Sequence, residues 1–152
     1  MNRYMILLIL GLFFSGCATI PTTYEIRNYE YFSADYDKLY TATMQVLAEL
    51  NYPIRTNDKS SGVITTDYIS IPSNEIRNYA QFYRPLLDMS GRYNLNIIIS
   101  KSGETNVIKI NSNLSAWEQV GYNPGYWESR PSNSYIESTI FNKIRTRISE
   151  LK

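Results

Sequence analysis

The side chains able to do chemistry are few in kind. The 152-residue chain has no histidine and one cysteine, Cys17. Without histidine, the commonest general base and the commonest metal ligand are both missing. Ser-His-Asp triads, Cys-His dyads and histidine zinc sites are excluded. Fourteen carboxylates remain. Glu118 and Glu128 form one pair of the kind that cleaves glycosidic bonds, but such pairs need a set separation. The sequence fixes none, and any two of the fourteen acids could be nominated in the same way. Gly121 and Gly125 have neither the spacing nor the following lysine of a phosphate loop. Asn57, Asp58 and Glu104 do not make a calcium loop. The expectation is a protein that is not an enzyme and uses no metal and no cofactor.

The aromatic residues are more suggestive. Trp117, Tyr122, Tyr126 and Trp127 fall within 11 residues, beside Glu118, Glu128 and Arg130. A second group holds Arg77, Tyr79, Phe82, Tyr83 and Arg84. Tyrosine, tryptophan and arginine dominate binding hot spots, because each joins an apolar body to a polar tip. Trp117, Tyr122, Tyr126, Trp127, Arg130, Tyr83 and Arg84 are therefore the candidate partner-binding residues. The alternative is structural: both groups fold back to cover an open end or edge of a sheet.

Cys17 has its own context. Arg3 precedes an apolar run from Tyr4 to Phe14, and then come Ser15 and Gly16. A basic start, a short apolar core and small residues before a cut site describe a secretory signal peptide. The run has 11 residues, while a membrane-spanning helix needs roughly 20. Phe14-Ser15-Gly16-Cys17 resembles a lipobox, with Phe14 where leucine is usual. The resemblance implies cleavage before Cys17, a diacylglyceryl thioether on its sulfur and an acylated amine. Three chains are ample for stable anchoring, where one alone is marginal. Ala18 replaces the aspartate that holds enterobacterial lipoproteins at the inner membrane. This implies the outer membrane, facing the periplasm, in a Gram-negative host. Removing residues 1–16 leaves 136, with 14 basic and 14 acidic side chains. That balance suggests no nucleic-acid partner.

Periodicity divides the rest. Residues 17–32 read as lipidated cysteine and tether, with Tyr24, Ile26 and Tyr29 suited to a short edge strand. Residues 33–152 read as one α+β domain. Ser33 to Leu50 is an amphipathic helix with Ser33 as its cap. Tyr52 to Thr56 and Val63 to Ile71 read as strands on either side of a polar turn. Ser73 to Ser90 is an excursion broken by Pro85. Arg92 to Lys101 and Thr105 to Trp117 alternate as a hairpin around Ser102-Gly103. Glu118 to Asn133 reads as a loop, and Ser134 to Leu151 as a closing helix with Ser134 and Glu137 in a capping box. Its stripe is Ile136, Ile140, Ile144, Ile148 and Leu151. The expected fold is a two-layer sandwich: a four-stranded antiparallel sheet with two helices packed on one face.

Three segments carry a family resemblance. They are Asp37-Lys38-Leu39-Tyr40 through Leu50-Asn51-Tyr52-Pro53-Ile54, then Asp58 through Thr66, and Ser134-Tyr135-Ile136-Glu137 through Ile148. Together they resemble the domain of BamC (NlpB)-type outer-membrane lipoproteins over most of residues 33–152. The resemblance implies a helix-grip fold and a non-enzymatic envelope role. The expected function is that of a structural or adaptor lipoprotein that binds another envelope protein. The alternative is a carbohydrate- or peptidoglycan-binding module.

Overall fold

The computed structural model describes residues 27–151. The signal segment, Phe14, Ser15, Gly16 and Cys17 lie outside the described residues. The elements run β1 (Tyr29–Phe32), α1 (Tyr36–Glu49), β2 (Ile54–Asp58), β3 (Val63–Thr66), β4 (Ile69–Pro72) and a 3-10 helix (Ser73–Asn78). Then come β5 (Asp88–Ser102), β6 (Thr105–Glu118), β7 (Tyr126–Arg130) and α2 (Tyr135–Glu150).

The long hairpin β5–β6 is the frame. Its ladder runs from Ser102↔Thr105 at the turn to Asp88↔Glu118 at the far end. One flank of β5 carries β3 and then β4, and β2 lies outside β3. The outer flank of β6 carries β1 near the turn and β7 near the far end. The expectation of a four-stranded sheet with two helices is therefore corrected: among the described residues the sheet has seven antiparallel strands, accompanied by α1, α2 and the 3-10 helix.

The extra strands have local causes. Val63 to Ile71 is not one strand, because the chain leaves the ladder at Asp67 and Tyr68. Glu118 to Asn133 is not all loop. Gly125 and Pro131 bracket five residues, and these zip onto the edge of β6 as β7. Tyr29–Phe32 pair with Lys109–Asn106 as β1. Pairing across the sheet is non-local, so flanking glycine and proline mark only where such a strand must stop.

Alternation then sorts the two faces of the sheet. Tyr93, Leu95, Ile97 and Ile99 of β5 face inward with Ile108, Ile110, Leu114 and Ala116 of β6. The helices lie side by side over this face, α1 against β5 and α2 against β6. Ile136, Ile140, Phe141 and Ile144 are buried on α2, as are Leu39, Val46 and Leu47 on α1. The caps differ from expectation. Asp35, not Ser33, caps α1 by accepting from Lys38 N at 2.8 Å. Ser134 sits at the start of α2 with φ +68 and caps nothing through its side chain. Glu137 instead accepts from the Ser132 hydroxyl at 2.9 Å, and Asn133 Oδ1 accepts from Tyr135 N. The opposite face presents Arg92, Asn94 and Asn96 of β5 beside Asn111, Asn113, Ser115 and Trp117 of β6. Among the described residues no helix covers it.

Candidate functional site

The two aromatic excursions meet at the far end of the hairpin. β5 begins and β6 ends there: Tyr79–Gln81 still runs beside Pro131–Asn133, and Arg84–Leu87 then reaches the end of the hairpin beside Gln119. Gln119 N donates to Leu87 O at 3.3 Å. Seven sequence-expected residues are divided between an inner cluster, an outer cluster and the loop tips.

The inner cluster is ionic and buried. A bulge at Met89 sets Asp88 opposite Glu118 and Ser90 opposite Trp117. The extra residue turns Asp88 to the inner face, where plain alternation would have aimed it outward. Asp88, Glu118 and Arg130 are all nearly inaccessible to water. Arg130 Nη2 donates to Asp88 Oδ1 at 2.8 Å and to Glu118 Oε1. Arg84 Nη1 donates to Glu118 Oε1 at 3.2 Å, and the Tyr126 hydroxyl donates to Glu118 Oε2 at 3.1 Å. The Arg84 backbone N–H donates to Asp88 Oδ2 at 2.8 Å. Two carboxylates thus face two guanidinium groups, with no net formal charge. Both oxygens of Glu118 are engaged, and Glu128 stands on β7 opposite Ala116 with its side chain exposed. The two acids share no site.

The outer cluster is aromatic and open. Trp117 and Trp127 are cross-strand partners whose rings meet edge to face at 5.5 Å. The Arg92 guanidinium lies 3.9 Å from the Trp127 ring centre and 4.3 Å from that of Tyr68. Arg92 is held between two rings by cation–π attraction, and its Nε donates to Ser115 Oγ at 3.4 Å. Gly125 makes the fit possible: a Cβ there would sit 2.4 Å from the Trp117 ring. One face of Trp127 is therefore taken by a cation and its edge is met by Trp117, while 38% of the residue stays exposed.

Tyr122 joins neither cluster and projects fully into solvent. Tyr83 packs partly against the core and lines an open apolar recess of about 450 Å³ with Arg84, Pro85, Leu86 and Leu87. Sequence reasoning missed Tyr68, Arg92 and Asp88. Arg92 was detectable in principle, since the hairpin register puts it on the face of Trp117. Nothing local marks Tyr68, which arrives by the break between β3 and β4, or Asp88, which needs the bulge.

Away from this end, a cleft of about 260 Å³ between α1, α2 and the sheet is lined by Tyr52, Tyr79, Tyr93 and Tyr135. The Tyr93 hydroxyl donates to that of Tyr52 at 3.1 Å. Burial, and then this hydrogen bond, push the Tyr52 phenol far above its ordinary range. Burial raises Tyr93 too, with the bond to Tyr52 acting the other way. Among the described residues no three acidic side chains stand close enough to hold a metal ion. Likewise no helix among them is long and apolar enough to cross a membrane. In comparisons with known proteins, no family model matches the chain, and no curated protein matches it.

Proposed function

We propose that the protein is an envelope lipoprotein, acylated on Cys17, that acts as a non-catalytic adaptor and grips another envelope protein with the outer face of its sheet. In a host with two membranes it stands at the outer one, facing the periplasm. The observation that carries this proposal is the Tyr68–Arg92–Trp127 stack, braced by Trp117, on a sheet face that no helix covers. Rigid aromatic residues around an arginine are what protein interfaces use as anchors, since little side-chain entropy is left to lose on binding. Asn113, exposed on β6 opposite Asn94, supplies a polar edge beside the stack. The BamC-type resemblance of the α1, β3 and α2 segments supports the same role.

Photocrosslinking in cells tests it. A photoreactive amino acid replaces Ser115 in the full acylated chain, and a second variant carries it at Glu104 in the hairpin turn. One discrete envelope-protein adduct is expected from position 115 and none from position 104. The adduct should fall at least tenfold when Arg92→Ala is added. No adduct, or one indifferent to Arg92→Ala, contradicts the proposal. The peptidoglycan alternative predicts instead that the mature protein pellets with purified sacculi.

A further inference from the structure

The loop tips beyond both clusters have a different character. Leu86 is 87% exposed, Phe82 64% and Val120 50%, and Tyr122 is wholly so. Leu86 on one loop and Val120 and Tyr122 on the other stand where Gln119 N meets Leu87 O, beside the apolar recess lined by Tyr83–Leu87, whereas Phe82 follows Gln81 further back, beside Pro131. Isolated exposed apolar residues are ordinary, but a contiguous group at one end of a fold marks a contact surface. The charge at this end is the second observation. Tyr79–Leu87 and Gln119–Gly125 contain one ionisable cation, Arg84, and no carboxylate. Arg84 leans on Glu118, and the cluster behind it sums formally to zero. Bringing the tips of these two loops to an apolar surface leaves no uncompensated charge on them to desolvate, while the exposed acid Glu128 stands back on β7 opposite Ala116.

The direction of the chain is the third observation. β1 runs antiparallel to β6, away from the loop end, and Ile110 N donates to Asn28 O at 2.7 Å. The chain therefore enters the sheet from the side of the loops. Glu118 lies eight positions beyond Ile110 on β6, a distance of about 27 Å along a strand. Asn28 lies eleven positions beyond Cys17, and covalent geometry lets that stretch reach at most about 40 Å. Lipid on Cys17 and the loop tips can meet the same bilayer surface.

We infer that Leu86, Val120 and Tyr122 dock on the lipid bilayer that holds the anchor, so the domain sits loop end down with its Tyr68–Arg92–Trp127 face turned sideways to partners. The inference rests on acylation of Cys17. Apolar tips enter the interfacial layer, Tyr122 sits at headgroup level, and Arg84 keeps its charge among the headgroups. Docking orients the outer face.

Quenching by lipid tests it. The full acylated protein is reconstituted in vesicles of phosphatidylethanolamine and phosphatidylglycerol carrying a bilayer-embedded nitroxide quencher. Leu86→Cys, Tyr122→Cys and Glu104→Cys each receive an environment-sensitive fluorophore, Cys17 being blocked by lipid. Flotation reports the anchor, and quenching reports the docking. The expected result is flotation of all three, at least twofold quenching with a blue shift at positions 86 and 122, and neither at position 104. Flotation without quenching at 86 and 122 overturns the docking and leaves the anchor standing. It would make the tips a free surface for a protein. Failure to float overturns the anchor and the docking with it.

Discussion

Two arginines at the same end of the sheet are treated in opposite ways. Arg130 lies on the inner face, 6% exposed, between Asp88 and Glu118. Arg92 lies on the outer face between two aromatic rings, with water on its open side. The first guanidinium is surrounded by acids because a buried charge without partners is costly. The second needs none, because water and the ring faces together hold it. The difference separates a structural brace from the proposed contact surface, although both draw on the same residue type at the same end of the sheet. It also shows why arginine and aromatic residues, picked from a sequence by type, divide between two jobs once a sheet gives them sides.

The largest expected effect comes from breaking the inner brace. Arg130→Met removes a cation of similar bulk and leaves Asp88 and Glu118 buried side by side. Loss of one partner of a buried ion pair costs about 3–5 kcal/mol. Chemical denaturation should show a large fall in midpoint, and β7 should lose hydrogen-exchange protection first. A midpoint within experimental error of the wild type would mean that the cluster is not closed off from water.

Next comes the layer that makes one face inner. Ile144 is fully buried on α2, while Lys143, one residue earlier, is exposed. Ile144→Ala should cost about 2–5 kcal/mol, and Lys143→Ala no more than about 0.5 kcal/mol. Equal midpoints for the two variants would remove the distinction between the faces.

A smaller effect belongs to an exposed acid, Asp58, in the β2–β3 turn. The Ser60 and Ser61 hydroxyls and the Ser60 N–H donate to it and lower its pKa from 3.8 to about 2. A carboxyl depressed in the folded state adds stability above its unfolded pKa and loses it as pH falls through the folded value. Asp58→Asn should therefore be less stable than the wild type at neutral pH and should lack part of the wild type's fall in stability between about pH 4 and pH 2. Parallel acid titrations of stability in wild type and variant should converge in that window. Unchanged steepness would place those hydroxyls elsewhere.

How much was legible in the sequence follows from the range of each signal. The stripe of Ile136, Ile140 and Ile144 repeats within one helix, and the alternation of Leu95, Ile97 and Ile99 within one strand. Both signals are local, and both elements are present. β7 and the break at Asp67–Tyr68 depend on pairing with distant strands, which is why seven strands stand where four were expected. The bulge at Met89 is one residue long, yet it decides the side on which Asp88 lies. Of the candidate site, Trp117 and Trp127 were found from type and proximity. Arg92 and Tyr68 required the register of β5 with β6 and the path of β4. The proposal for Cys17 rests on a local sequence pattern outside the described residues and draws on no part of the fold.

The central claim is that the outer stack serves binding rather than stability, and Arg92→Ala tests it most directly when stability and partner capture are measured on the same variant. An exposed cation–π contact contributes about 0.5–1 kcal/mol, so the denaturation midpoint should barely move. The photocrosslinked adduct from position 115 should fall at least tenfold. A stable variant that still captures its partner, or one that loses capture only because the domain has melted, would contradict the account.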